Sequence, residues 1–303
     1  MRRFLITASV LCFALPAYAQ EGAITVIQDD GTKVTVPIEG VDPVLPGETD
    51  APPAHCLICE DDRQYIGHNG QLWTTMAELQ RAHRNRIEEV DPGLTGIGTI
   101  PAFAIAPRAL LVRTSSGNVL WDCPSLLDEA TVDAVQALGG IAAIAVSHPH
   151  LTGSLVEWSR AFGRAPIYWH ADNRQWVMRS DPAYVFWEGE TQPLMEGVTL
   201  ARCGGHFAGS TVLHWSQGAG GRGALLTGDT ITVAQDRRYV SFMYSYPNLI
   251  PLNRQAIERI VRSIEPFDFE RLYGGWWDYH VQEDAKAAVK RSAQRYIAAI
   301  GAE

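Results

Sequence analysis

The chain has 303 residues, 46% of them hydrophobic, and a formal net charge of −9, which is enough for one large α/β domain or two modest ones around a packed core. The negative charge, with no basic run beyond isolated pairs, gives no attraction to nucleic acid or to an anionic membrane and points to a small-molecule substrate that is neutral or weakly polar. After the first twenty residues no segment approaches the roughly 20 apolar residues of a spanning helix, so no membrane segment is expected in the mature chain, and nothing in the sequence fixes an oligomeric state.

At the N-terminus, Met1-Arg2-Arg3, the apolar run Phe4 to Leu15 and Ala17-Tyr18-Ala19 form the charged start, apolar core and small-residue cleavage site of a secretory leader. The mature protein is expected to begin at Gln20 and to be periplasmic or secreted. Arg2-Arg3 resembles a twin-arginine leader, without the residue that usually separates the pair from Phe-Leu. Ile24 to Val36 is β-prone on both sides of Asp30-Gly31 and predicts a hairpin within residues 23–38. The Pro, Gly, Glu and Asp of residues 41–53 predict a linker. The expected organisation is a leader at 1–19, a hairpin and linker at 20–54, and one domain at 55–303.

With Cys12 in the leader, four cysteines remain, of which only Cys56 and Cys59 are close in sequence. One such pair does not make a zinc ribbon, and a small disulfide or two half-buried thiols stiffening a loop is the plainer reading. His55 and His68 flank the pair, so a structural zinc with two thiolates and two imidazoles is the other reading.

Thr75-Met76-Ala77-Glu78 matches a capping box and predicts a helix from Met76 to Glu89 that stops before Asp91-Pro92-Gly93. Apolar strands then alternate with amphipathic helices. Strands are predicted at 108–113, 118–122, 141–146, 166–169, 198–202, 211–215 and 224–227, with a helix at 127–138 ending at Gly139-Gly140. The strand at 141–146 has no polar face, so it is expected in the middle of a sheet covered on both sides. Ile257, Ile260, Val261 and Ile264 mark one helix, and Ala285, Val289, Tyr296 and Ile297 another.

Three strand ends carry the candidate chemistry. Ser147-His148-Pro149-His150 follows the buried strand, and alternate residues leaving a strand can turn both imidazoles toward one point. His206 follows two glycines that let the backbone bend inward, and Asp229 follows Leu226-Thr227-Gly228. Three imidazoles and one carboxylate suit zinc well and iron acceptably. His170 is expected to support a strand end beside this site, and His214 to be structural. Phe186, Trp187, Trp276, Trp277 and Met243 to Tyr246 are candidates to wall an apolar pocket or to fill the core and its rim.

The order strand, His148-x-His150, helix, Gly204-Gly205-His206, strand, Leu226-Thr227-Gly228-Asp229-Thr230 resembles the metallo-β-lactamase superfamily. More narrowly it resembles an uncharacterised hydrolase-like branch with Ser-His-Pro-His, Cys-Gly-Gly-His-Phe and an upstream Cys-x-x-Cys, over the region from Cys56 to the C-terminus. The resemblance implies an α/β fold, a four-layer αβ/βα sandwich with metal at one edge. It also implies that Asp122 orients a ligand instead of binding metal.

Two departures narrow the expectation. The superfamily's His-x-His-x-Asp-His would continue at Thr152 and Gly153, and its late histidine is replaced after Gly274-Gly275 by Trp276 and Trp277, with His280 nearby as a candidate substitute. The expected centre is therefore one metal, zinc or else iron, held by His148, His150, His206 and Asp229, with Asp229 either a ligand or the catalytic proton acceptor. Such a site makes hydroxide from bound water near neutral pH. Without the usual group to protonate a departing amine, it favours an ester, lactone or thioester over a β-lactam. The same residues also fit a mononuclear iron oxidoreductase acting on a thiol or persulfide, and a binding protein whose site has degenerated.

Overall fold

The computed structural model describes residues 55–301 except 65, 67 and 69, together with the backbone of 5–6, 23–27 and 33–37. Ala23–Ile27 and Lys33–Pro37 pair antiparallel, as a hairpin requires. The turn between them, the linker, and all of the leader but Leu5–Ile6 lie outside the described residues.

Two sheets form the body. The first runs in the order β7-β6-β5-β4-β3-β2-β1, where β1 is Arg84–Asp91, β2 Leu94–Ile100, β3 Arg108–Thr114, β4 Gly117–Trp121, β5 Ala143–Ala145, β6 Ile167–His170 and β7 Tyr184–Trp187. The second runs β8 to β13 in sequence order, with β8 Thr191–Met195, β9 Val198–Arg202, β10 Thr211–Trp215, β11 Ala224–Leu226, β12 Arg271–Tyr273 and β13 His280–Val281.

Side-chain alternation explains why these strands are apolar on both faces. Leu110, Val112, Val119, Trp121 and Ala145 point inward and meet Leu200, Leu213, Ala224 and Leu226 of the second sheet. Ala109, Leu111, Leu120 and Ile144, one residue out of step, pack outward with Val135 of helix α2 (Glu129–Ala137) and with Leu155 and Trp158 of α3 (Leu155–Ala161). Ala201, Val212, Leu225 and Leu272 face the other way, onto Ile257, Ile260 and Ile264 of α4 (Arg254–Ile264) and Ala285, Ala288 and Val289 of α5 (Ala285–Ile300). The result is helix, sheet, sheet, helix: the four-layer sandwich, with β5 interior as its unbroken apolarity requires. Among the described residues no helix is long and apolar enough to cross a membrane.

One predicted element is corrected. The capping box at Thr75 and Glu78 is present, but its helix, α1 (Met76–Ala82), is short, and Arg84–Asp91 is an edge strand paired antiparallel with β2. Asp91-Pro92-Gly93 is thus the turn of a hairpin and not a helix stop. Ile87 and Val90 pack on opposite faces of the sheet, one against each core, and that tertiary burial outweighs local helix preference. Strand β2 itself was hidden by its glycines. A Cβ at Gly96 or Gly98 would stand 2.8 or 2.6 Å from the Trp277 indole, so the strand carries glycine to let that ring lie on it.

Candidate metal centre

The site lies where strands of both sheets end on the same edge. In register, Leu110 pairs with Trp121 and Trp121 with Ala145, so the residues after β4 and β5 leave together, as Asp122 and as Val146 to His150. The loop between β9 and β10 brings His206, and the turn after β11 brings Asp229. Thr211 N–H donates to the Ser147 carbonyl at 2.9 Å and joins the two sheets at this point.

His148, His150, His206 and Asp229 converge there, with one ligand atom from each lying within 4.8 Å of the others. All four are buried, His148 completely. His148 Nε2 is 3.3 Å and His206 Nε2 3.8 Å from Asp229 Oδ2, and His206 Nε2 is 3.3 Å from His150 Nδ1. A tetrahedron built on zinc–nitrogen bonds of about 2.0–2.1 Å has edges of about 3.3–3.4 Å; the two 3.3 Å separations match those edges, and the 3.8 Å one is wider. His148 Nε2 and Asp229 Oδ1 have no hydrogen-bond partner despite being buried. A cation placed among the four ligand atoms would satisfy both of these at once, so the donor set fits one.

The outer bonds fix which nitrogen faces inward. A carbonyl can only accept, so His206 Nδ1–H donates to Met243 O at 3.2 Å and leaves Nε2 with its lone pair toward the site. Ser147 Oγ lies 2.9 Å from each oxygen of Asp122 and 2.8 Å from His148 Nδ1. The hydroxyl donates to the carboxylate and accepts from His148 Nδ1–H, so His148 Nε2 is also a lone-pair atom. Asp122 therefore acts on His148 through Ser147, whose backbone N–H it also accepts at 2.8 Å. Asp122 sits at φ 59, a left-handed conformation that costs energy for a residue with a Cβ. Gly228 completes the fit, because a Cβ there would stand 2.5 Å from Ser147 Oγ.

Burial sets the protonation. It pushes His206 down to about 4 and His150 below its ordinary 6.5, with the neighbouring His148 adding to both. Asp122 is pushed the other way by burial, up to about 6. Burial also acts to raise Asp229, but His148 and His206 outweigh it and hold that carboxyl below its usual range. In the unfolded chain the two imidazoles titrate at about 6.5. Their contribution to metal-free stability is therefore present above pH 6.5 and lost as pH falls toward about 4. Asp122 opposes this over pH 6 to 3.8, since its folded form takes up a proton first. Two imidazoles outweigh one carboxyl, so chelator-treated protein is expected to melt at lower temperature at pH 4.5 than at pH 7. A higher melting temperature at pH 4.5 would show that Asp122 dominates.

The other candidates fall outside this group. Thr152 donates its hydroxyl to Pro149 O at 2.8 Å, so neither it nor Gly153 adds a donor. His280 faces Tyr273 across β12 and β13, and His214 Nε2 meets Asp268 O at 2.8 Å. His170 lies at the β6 end, accepting from Asp172 N–H at Nδ1 and donating from Nε2 to Gly189 O. Trp276 donates to Ile105 O, and Trp277 stacks with Arg86 and the buried Arg108, so both indoles are held by packing contacts. Of the aromatic candidates, Tyr246 adjoins the centre, its ring 5.9 Å from His206 and its hydroxyl donating to Asp229 O. Phe186 lies under Arg174, and Trp187 is core.

Cys56 and Cys59 are free thiols, more buried than expected, in a small cluster with Ile58 and Trp73. Among the described residues, the His148 group is the one metal-ligand cluster, so His55 and His68 do not complete a site with them. The loop that carries these cysteines does supply a residue that sequence reasoning missed, Arg63, whose NH1 donates to His206 O at 3.0 Å.

No family model matches the chain. Over 258 residues it is 49% identical to the uncharacterized protein YmaE of Bacillus subtilis (strain 168), covering 84% of this chain and 93% of that protein. Among solved structures, the DIM-1 metallo-beta-lactamase superposes with a TM-score of 0.54 at 14% identity, over 72% of this chain and 99% of that one. VMB-1 does so with a TM-score of 0.53 at 12% identity, over the same shares. Likeness at such identities speaks for the fold, and the YmaE match speaks for kinship. The chain adopts the metallo-β-lactamase fold and belongs to the family of Bacillus subtilis YmaE.

Proposed function

We propose that this protein is a metal-dependent hydrolase that holds one zinc ion through His148, His150, His206 and Asp229. One observation carries this: three imidazoles and a carboxylate, all buried, each bring a ligand atom to within 4.8 Å of the others, with His148 Nε2 and Asp229 Oδ1 left unpartnered. A zinc ion bound there supplies Lewis acidity and lowers the pKa of a coordinated water toward about 7.

The chain's own residues have separable tasks. Ser147 and Asp122 hold His148 in the tautomer that presents Nε2, and the Met243 carbonyl does the same for His206. Asp229 is the fourth ligand, its carboxyl kept charged by His148 and His206 against the effect of burial. With Thr152 and Gly153 where an acid would stand, no side chain of the group is placed to protonate a departing amine. Alkoxides and thiolates leave without that help, which supports an ester, lactone or thioester as substrate. The leader sequence supports a periplasmic or secreted location.

The test is a substrate panel. Purified protein is expected to hydrolyse aryl esters or thioesters at least about tenfold faster than a chromogenic β-lactam, to lose that activity on chelation and to regain it with zinc. Undiminished turnover after chelation, or a preference for the β-lactam, would overturn the reading.

A further inference from the structure

We propose that Arg63 is a positioning residue of the metal centre, an inference that rests on the metal-site reading above. The turn that carries His206 follows Gly204 and Gly205, at φ 70 and 84. Its own bonds join Gly204, Phe207 and Ser210, and a group outside the turn holds the His206 carbonyl. Arg63, 143 residues earlier in sequence, does so with three parts of one side chain. Its NH1 donates to His206 O at 3.0 Å. The face of its guanidinium lies 3.8 Å from the Phe207 ring centre. Its remaining edge, Nε and NH2, grips Asp61 with two bonds of 2.6 Å.

Phe207 transmits the contact. Its ring centre is 4.9 Å from that of His150, 5.1 Å from His206 and 6.1 Å from His148, so a guanidinium pressed on one face backs all three imidazoles. The segment that presents Arg63 is tied down in turn. Ser245 donates to Arg63 O, Tyr244 to Asp62 Oδ1 at 2.7 Å, and Asn248 to Asp62 O, from the short strand Met243–Ser245 and the turn after it; the Met243 carbonyl of that strand orients His206. Asp61 pairs with the arginine in a mostly buried contact and offsets part of its charge beside the site. Lysine cannot reproduce this, because it lacks the planar fork that serves a carboxylate, a carbonyl and a ring together.

The experiment compares the full-length protein with Arg63→Gln, Arg63→Lys and Asp61→Asn. Zinc affinity is measured by competition with a chromophoric chelator, and the visible spectrum of each cobalt-substituted protein reports ligand geometry. The expected result is affinity lowered about 10- to 100-fold in Arg63→Gln, at most partial recovery in Arg63→Lys, and altered cobalt bands in both. Near-UV circular dichroism checks the fold, and if Arg63→Gln does not fold, Arg63→Lys and Asp61→Asn carry the same comparison. Wild-type affinity and cobalt bands in the folded variants would overturn the role of Arg63 alone. A wild-type protein that binds neither metal would overturn the metal-site reading, and this inference with it.

Discussion

His148→Ala is expected to lower bound metal from about one equivalent to below a tenth, and to cut ester hydrolysis about a thousandfold, equivalent to about 4 kcal/mol of transition-state stabilisation. The effect is large because His148 is at once a donor and the end of a buried relay. Its Nε2 lies 3.3 Å from Asp229 Oδ2, while its Nδ1 meets Ser147, which meets Asp122. Alanine removes the imidazole and the bond it gives to Ser147 Oγ, leaving three donors where four converged. The variant's far-UV and near-UV spectra should match wild type, since the sheets pack independently of this ring. Retention of both metal and activity would remove His148 from the site.

Asp122→Asn is expected to weaken zinc about 10- to 100-fold while leaving the metal-free protein as stable as wild type or more so. The two effects have opposite signs for a physical reason. The Asp122 carboxyl is fully buried and raised to about 6, so at neutral pH the metal-free protein bears the cost of burying its charge. Asparagine removes that cost, and it tolerates the left-handed backbone at this position better than most residues. It cannot, however, receive the Ser147 hydroxyl at two oxygens, and it brings no negative charge to stabilise a metal-polarised His148. Melting of the chelated protein and a zinc competition titration read the two effects separately. Parallel loss of both would mean that Asp122 is structural only.

The sequence made the donors legible because each is announced locally. His148 and His150 leave an apolar strand, His206 follows paired glycines, and Asp229 ends a Leu-Leu-Thr-Gly run. What supports them was harder to read. Ser147 stood inside the very motif that revealed His148, yet its role depends on a carboxylate 25 residues away that only strand pairing brings near. Arg63 was invisible because its partner is a backbone carbonyl, which leaves no trace in residue identity.

The same division holds for the fold. Strands buried on both faces were legible from unbroken apolar runs, and β9 and β10 were predicted to the residue. Elements whose conformation is set by distant contacts were not. Arg84–Asp91 looked helical because its charges and its capping box are local, whereas the strand it pairs with and the two cores it covers are not. Gly96 and Gly98 weakened the signal of β2 to make room for a tryptophan some 180 residues later in the chain.

The most direct test of the central claim is elemental analysis of the full-length protein purified without chelator. About one equivalent of zinc per chain is expected, lost on mutation of His148, His150 or His206. Two equivalents, or a metal-free protein that hydrolyses esters at full rate, would contradict it.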